Sequence, residues 1–206
     1  MVSQKPSQRQ RLLDVLDVKP IARAYEMREA GIAATTISRA VRDGELVRLS
    51  HGLYQMSGSE IDANQSLAEA AKIVPKGVIA MVSALAFHGL TDQMPRKIWV
   101  AISPKDWAPA PKYPPLRITE FRDRYMEQGV GHHRISGIDV PIFSVAKTLA
   151  DVFRNPRLVD RSVAVEGLRA TLQQKRATPA EIAEAAMAAD AWKIMRPYLE
   201  ALTANG

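Results

Sequence analysis

Over the first sixty residues the spacing of apolar positions changes several times, and each change marks an element. Leu12, Leu13 and Leu16 share one side of a helix over about Gln8 to Leu16. A second helix is expected over Ile21 to Ala30, opened by Pro20 and closed by Gly31, whose backbone tolerates the left-handed conformation that ends helices. A third runs from about Ala34 to Asp43, with Ile37, Ala40 and Val41 within one arc of roughly 100°. Gly44 stops it. Alternation then replaces the helical period. Leu46-Val47-Arg48-Leu49, Ser50-His51-Gly52 and Leu53-Tyr54-Gln55-Met56 read as strand, turn and strand. Helix, glycine turn, helix and hairpin in this order predict a winged helix-turn-helix that closes near residue 60.

The polar arc of the third helix carries Thr35, Ser38, Arg39 and Arg42, with Thr36 beside them. These side chains donate to phosphates and to the acceptor edge of guanine in the major groove. Arg48, Ser50 and His51 on the hairpin are expected along the backbone or in the minor groove. Together the eight residues form the candidate DNA-binding set, and the partner they imply is double-stranded operator DNA. The plainer reading is a helical hairpin and a β-hairpin with solvated arginines. A hairpin in the position of a wing favours DNA.

Beyond residue 60 two alanine-rich helices are expected, Leu67 to Val74 and Val78 to His88, separated at Pro75-Lys76-Gly77. Strand-like alternation follows at Lys97 to Ile102 and Leu116 to Phe121, around a loop forced by Pro109, Pro111, Pro114 and Pro115. A further pair, His132 to Ser136 and Ile138 to Phe143, meets at Gly137. From Ser144 the reading is helical, with Thr178-Pro179-Ala180-Glu181 as a capping box. The fold class is therefore α+β: an N-terminal winged helix-turn-helix, then a mixed α+β C-terminal domain with a small sheet and a helical C-terminal end. Two apolar sets predict two folding units, 1–60 and 61–206. The first comprises Leu12, Leu13, Leu16, Ile21, Ile37, Val41, Leu46 and Leu53, and the second Val163, Leu168, Leu172, Ile182, Ile194 and Leu199.

Composition narrows the function classes. The net charge of +6 favours an anionic partner, but each third of the chain contributes equally, so only geometry locates the site. The absence of cysteine removes disulfides, thiolate metal sites and a cysteine nucleophile, as suits a reducing cytoplasm. The N-terminus lacks a secretory pattern, and the most apolar window, Val78 to Phe87, is about half the length of a membrane span, so no membrane partner is expected.

Candidate chemistry is sparse. His132 and His133 point to opposite faces of a strand with no carboxylate at ligand spacing, so no metal is expected. Lys147 and Asp151 are four apart on a helix and read as a surface ion pair. Asp123 and Glu127, also four apart, only imitate a metal-nuclease pair. Trp99, Trp107 and Trp192 are assigned to packing. With neither a phosphate-cradling loop nor a G-x-S-x-G serine, no catalytic residue and no cofactor are expected.

The stretch AYEMREAGIAATTISRAVRDGELVRLSHGLY resembles the N-terminal domain of the AbiEi antitoxins of type IV, abortive-infection toxin–antitoxin systems. VPIFSVAKTLADVFRN and VAVEGLRATLQQKRATPAEIAEAAMAADAWKIMRPYLEAL resemble the C-terminal antitoxin domain of that family. The resemblance implies a cytoplasmic, non-enzymatic transcriptional autorepressor. It also implies a nucleotidyltransferase-like toxin, encoded alongside and opposed with or without direct contact, in a system of phage defence. One departure is visible. Ala33 and Ala34 stand where such sequences often carry a capping serine, which leaves Thr35 as the expected cap. The competing reading is a nuclease whose winged helix delivers a catalytic α+β domain to DNA.

Overall fold

A computed structural model describes residues 6–58, 64–111 and 113–204. Its first unit runs α1 (Gln8–Val18), β1 (Ile21–Arg23), α2 (Ala24–Glu29), α3 (Ala34–Arg42), β2 (Leu46–Ser50) and β3 (Leu53–Met56). The helix expected over Ile21 to Ala30 is thus half strand. Ile21, Ala22 and Arg23 pair antiparallel with Gln55, Tyr54 and Leu53, giving a sheet of order β1-β3-β2. Ile21 and Ala22 are fully buried on opposite faces, and a short apolar run buried on both sides carries no period that separates strand from helix. α2 begins where the Glu26 carboxylate accepts the Arg23 N–H at 2.7 Å. Leu12, Leu16, Met27, Ile32, Ile37, Ala40 and Leu46 fill the space between the three helices and the sheet. Gly31, at φ 77°, makes the turn between α2 and α3.

The second unit comprises α4 (Gln65–Ile73), β4 (Val78–Ile79), α5 (Met81–Phe87), β5 (Ile98–Ile102), β6 (Leu116–Glu120), α6 (Asp123–Met126), β7 (Val130–Ile135), β8 (Ile138–Phe143), α7 (Val145–Arg154), α8 (Arg161–Gln173), α9 (Pro179–Ala188) and α10 (Trp192–Thr203). The strands form a mixed sheet of order β6-β5-β4-β8-β7. The helix expected from Val78 therefore starts late. Val78 and Ile79 pair with Ala101 and Val100 on one side, and Ile79 with Ile142 on the other, before the chain turns sharply at Met81, φ 52°, into α5.

The sheet is a middle layer. Along β5, Trp99 and Ala101 face α5 and α7 to α10, while Ile98, Val100 and Ile102 face α4 and the winged helix. Both faces are buried, so β5 reads as continuously apolar. The capping box at α9 forms as expected: Thr178 N–H donates to Glu181 at 2.7 Å, Glu181 N–H donates to the Thr178 hydroxyl, and Pro179 takes the first helical position.

The winged helix is packed on the sheet. Ile21 and Leu53, expected inside the first unit's own core, join Leu67, Ala70, Ile79, Ile135 and Ile138 in a shared cluster. Polar contacts frame it. Lys72 Nζ lies 2.7 Å from Glu26 Oε1, Arg23 Nε donates to the Lys72 carbonyl at 2.6 Å, and Gln65 Nε2 donates to Gln55 Oε1 at 2.7 Å. The β7–β8 hairpin turns through Ser136 and Gly137, both at positive φ. A Cβ on Gly137 would stand 2.6 Å from Pro20 Cδ, so glycine also permits the close approach of the two units. The boundary expected at residue 60 lies outside the described residues.

Candidate nucleic-acid interface

The start of α3 is satisfied from another helix. Ala33 is its N-cap residue and contributes no side-chain bond, and the expected cap Thr35 is exposed and plays no such part. Gln8, at the start of α1, supplies the acceptor. Its Oε1 receives the Ala33 N–H at 3.0 Å and the Thr36 hydroxyl at 2.8 Å. Thr36 is therefore half-buried and turned toward α1, away from the arc that faces solvent. Ile37 and Ala40 are buried, which leaves Thr35, Ser38, Arg39 and Arg42 exposed along one side of the helix. No sequence signal marks Gln8, because the contact depends on how two helices cross.

The two arginines differ in their surroundings. Arg42 Nε stands 3.5 Å from Asp43 Oδ1, with both side chains well exposed. Such a pair contributes about 1 kcal/mol or less, so it opens at small cost and leaves the guanidinium accessible. Arg39 borders a cleft of about 210 Å³ with Gln8, Arg9, Thr36, Asp43 and Glu45, in which Arg9 and Glu45 are ion-paired.

The wing is short and held. Arg48 lies opposite Tyr54, the register shifts between Arg48 and Ser50, and His51 and Gly52 form the turn. Gly52 O accepts the Ala24 N–H at 2.8 Å, tying the tip to the first residue of α2. Arg48 Nη2 and His51 Nδ1 are 3.0 Å apart, so the structure brings these two exposed candidates together. Of Ser50 only the backbone is described. Glu26, on the helix before α3, is withdrawn into the contact with Lys72. Burial raises its pKa, but the hydrogen bonds from Lys72, the Arg23 N–H and Lys19 outweigh this and hold the carboxyl below its ordinary value.

Several sequence expectations are corrected in the second unit. Lys147 and Asp151 are not a surface pair: the two side chains are 3% and 0% exposed, at 2.6 Å, and Arg154 donates to the same carboxylate at 2.8 Å. Phe121, Tyr125 and Phe143 surround the Lys147 ammonium. Burial pushes Lys147 down and Asp151 up, opposed by their mutual attraction. His132 does meet a carboxylate, across the hairpin, with Nδ1 2.7 Å from Asp139 Oδ2. His133 packs its ring edge-on against Phe87. Trp99 is buried and Trp192 packs against the core, but Trp107 is 80% exposed on the loop between β5 and β6. Asp123 is held by Lys105 and the Ser103 hydroxyl, each at 2.6 Å, and Glu127 falls just past the end of α6. Among the described residues no three His, Asp or Glu side chains gather as a metal site, and no helix is long and apolar enough to cross a membrane.

Comparison with known proteins places the first unit. Residues 10–57 match the family described as "Transcriptional regulator, AbiEi antitoxin". Among solved structures the chain is similar to the crystal structure of RV2827C protein from Mycobacterium tuberculosis. The two are 15% identical with a TM-score of 0.59, over 98% of this chain and 82% of that one. That likeness concerns the fold. No curated protein matches the chain.

Proposed function

We propose, from the match of residues 10–57 to the AbiEi antitoxin family of transcriptional regulators, that this chain is a type IV antitoxin that represses its own operon. In this reading the exposed side of α3 enters the major groove of operator DNA, with Arg39 and Arg42 on guanine edges or phosphates and Ser38 and Thr35 beside them. Arg48 and His51 follow the backbone or the minor groove from the wing. Thr36 acts indirectly, by fixing α3 against Gln8. The second unit opposes a nucleotidyltransferase-like toxin in the cytoplasm, as a phage-defence module.

One observation carries the DNA reading. Every polar residue of the α3 arc is exposed while the opposite side is locked into the core between α1 and the sheet. Such a helix is held from behind and presents its basic face to solvent among the described residues, which is what insertion into a groove requires.

The test pairs a reporter driven by the chain's own promoter with coexpression of the neighbouring gene product. Full-length protein is expected to repress the reporter and to restore growth. An Arg39→Ala/Arg42→Ala variant, folded by circular dichroism, is expected to lose repression and keep rescue. Joint loss of both in that folded variant would contradict the division of labour.

A further inference from the structure

We infer that a groove on the second unit, at the outer end of the sheet and away from the winged helix, is a docking site for an acidic protein segment bearing a large apolar side chain. The groove is about 490 Å³. Its floor is Val82, Trp99 and Val163, all on the face of the sheet covered by α5 and α7 to α10. Its rim carries three cations: Arg96, Lys97 and Arg117.

None of the ion pairs among the described residues involves Arg96, Lys97 or Arg117. Arg117 instead places its guanidinium carbon over the Trp99 ring, 3.8 Å from the centroid, opposite Trp99 in the parallel pairing of β5 and β6. That contact ties the guanidinium to the ring, and no ion pair among the described residues engages it. The one carboxylate in the lining, Asp160, is committed to capping α8 through the Ser162 N–H and hydroxyl. Met94 is 88% exposed and Leu158 36%, so the rim also presents apolar surface without cover.

Three cations against one carboxylate leave the rim net positive, and with the apolar contacts between them they complement carboxylates flanking a hydrophobic side chain, to whose shape a flexible methionine adapts. The groove is open rather than enclosing, which suits a segment of a protein more than a small anion. Its location favours protein over DNA. The winged helix packs on the other face of the sheet through Ile21 and Leu53, so a partner seated here leaves α3 and the wing uncovered. The inference is independent of which toxin, if any, the chain opposes.

The test pans phage-displayed random dodecapeptides against the immobilised full chain, with an Arg96→Glu/Arg117→Glu chain in parallel. Peptides enriched on the wild type are expected to combine Asp or Glu with Leu, Phe, Trp or Met. Their binding is expected to weaken with salt and to fall at least tenfold on the double variant, with promoter affinity unchanged. Failure to enrich acidic peptides, or equal binding to both chains, overturns the proposal. So does a double variant that is folded by circular dichroism and loses DNA affinity instead, because the rim would then be a second nucleic-acid contact.

Discussion

Lys72 Nζ sits 2.7 Å from Glu26 Oε1, and this pair couples the winged helix to the unit behind it. Both side chains are largely shielded, and Arg23 is bound to both residues through its N–H and its guanidinium. Replacing Lys72 with Met is expected to destabilise the chain by about 1–2 kcal/mol at neutral pH. Because the folded pKa of Glu26 is depressed below 4.5, its contribution is present above that value and is lost as pH falls through the folded one. Urea unfolding from pH 7 to pH 3 is the check. Wild type should lose more stability across the acid range than Glu26→Gln.

The buried triad of Lys147, Asp151 and Arg154 supports a larger effect. Asp151→Asn leaves an ammonium and a guanidinium without their counter-ion inside the core, at an expected cost of about 3–5 kcal/mol. A Lys147→Met/Asp151→Leu double variant should recover much of that loss, since paired apolar replacements remove the unpaired charge. Equilibrium denaturation of the three proteins distinguishes a structural pair from a solvated one.

How much of this was legible in the sequence varied by the range of the physics involved. The α3 arc, the wing and the α9 capping box follow from local periodicity and turn chemistry, and they stand within a residue or two of the expected places. β1 and β4 look helical in the sequence because two or three apolar residues hold no period, and only their partners in the sheet define them. The Lys147 pair reads as exposed because Lys147, Asp151 and Arg154 share one polar arc of α7 opposite Leu149, Val152 and Phe153, the pattern of a surface helix. Only Phe121, Tyr125 and Phe143, from segments before α7, close over that arc. Gln8 and the cationic groove had no sequence signal, since both depend on segments far apart in the chain.

Gln8 offers a direct probe of the α3 start. Gln8→Ala removes the acceptor of the Ala33 N–H and the Thr36 hydroxyl, with an expected loss of about 1 kcal/mol in stability. DNA affinity should fall too, although Gln8 need not touch DNA, because α3 would be held less firmly. Thermal unfolding and gel-shift titration measure the two effects. A Gln8→Glu variant, which keeps the acceptor, should restore stability more than affinity.

For the wing, the expected signature is the salt dependence of binding. If Arg48 neutralises a phosphate, Arg48→Ala should reduce the log–log salt slope by about 0.9. An unaltered slope would move Arg48 off the backbone. His51→Ala serves as the companion, since the 3.0 Å contact between the two residues makes part of any loss common to both.

Whether the exposed side of α3 reads DNA is decided by fluorescence anisotropy of full-length protein on its own promoter and on random duplex. Arg39→Ala and Arg42→Ala are each expected to cost about 1–3 kcal/mol on the promoter where the arginine meets a base. The corresponding loss on random duplex should be smaller. Equal losses on both sequences would assign that arginine to phosphates. Unchanged affinity on both sequences for both variants, each folded, would contradict DNA reading by this face and remove α3 from the interface.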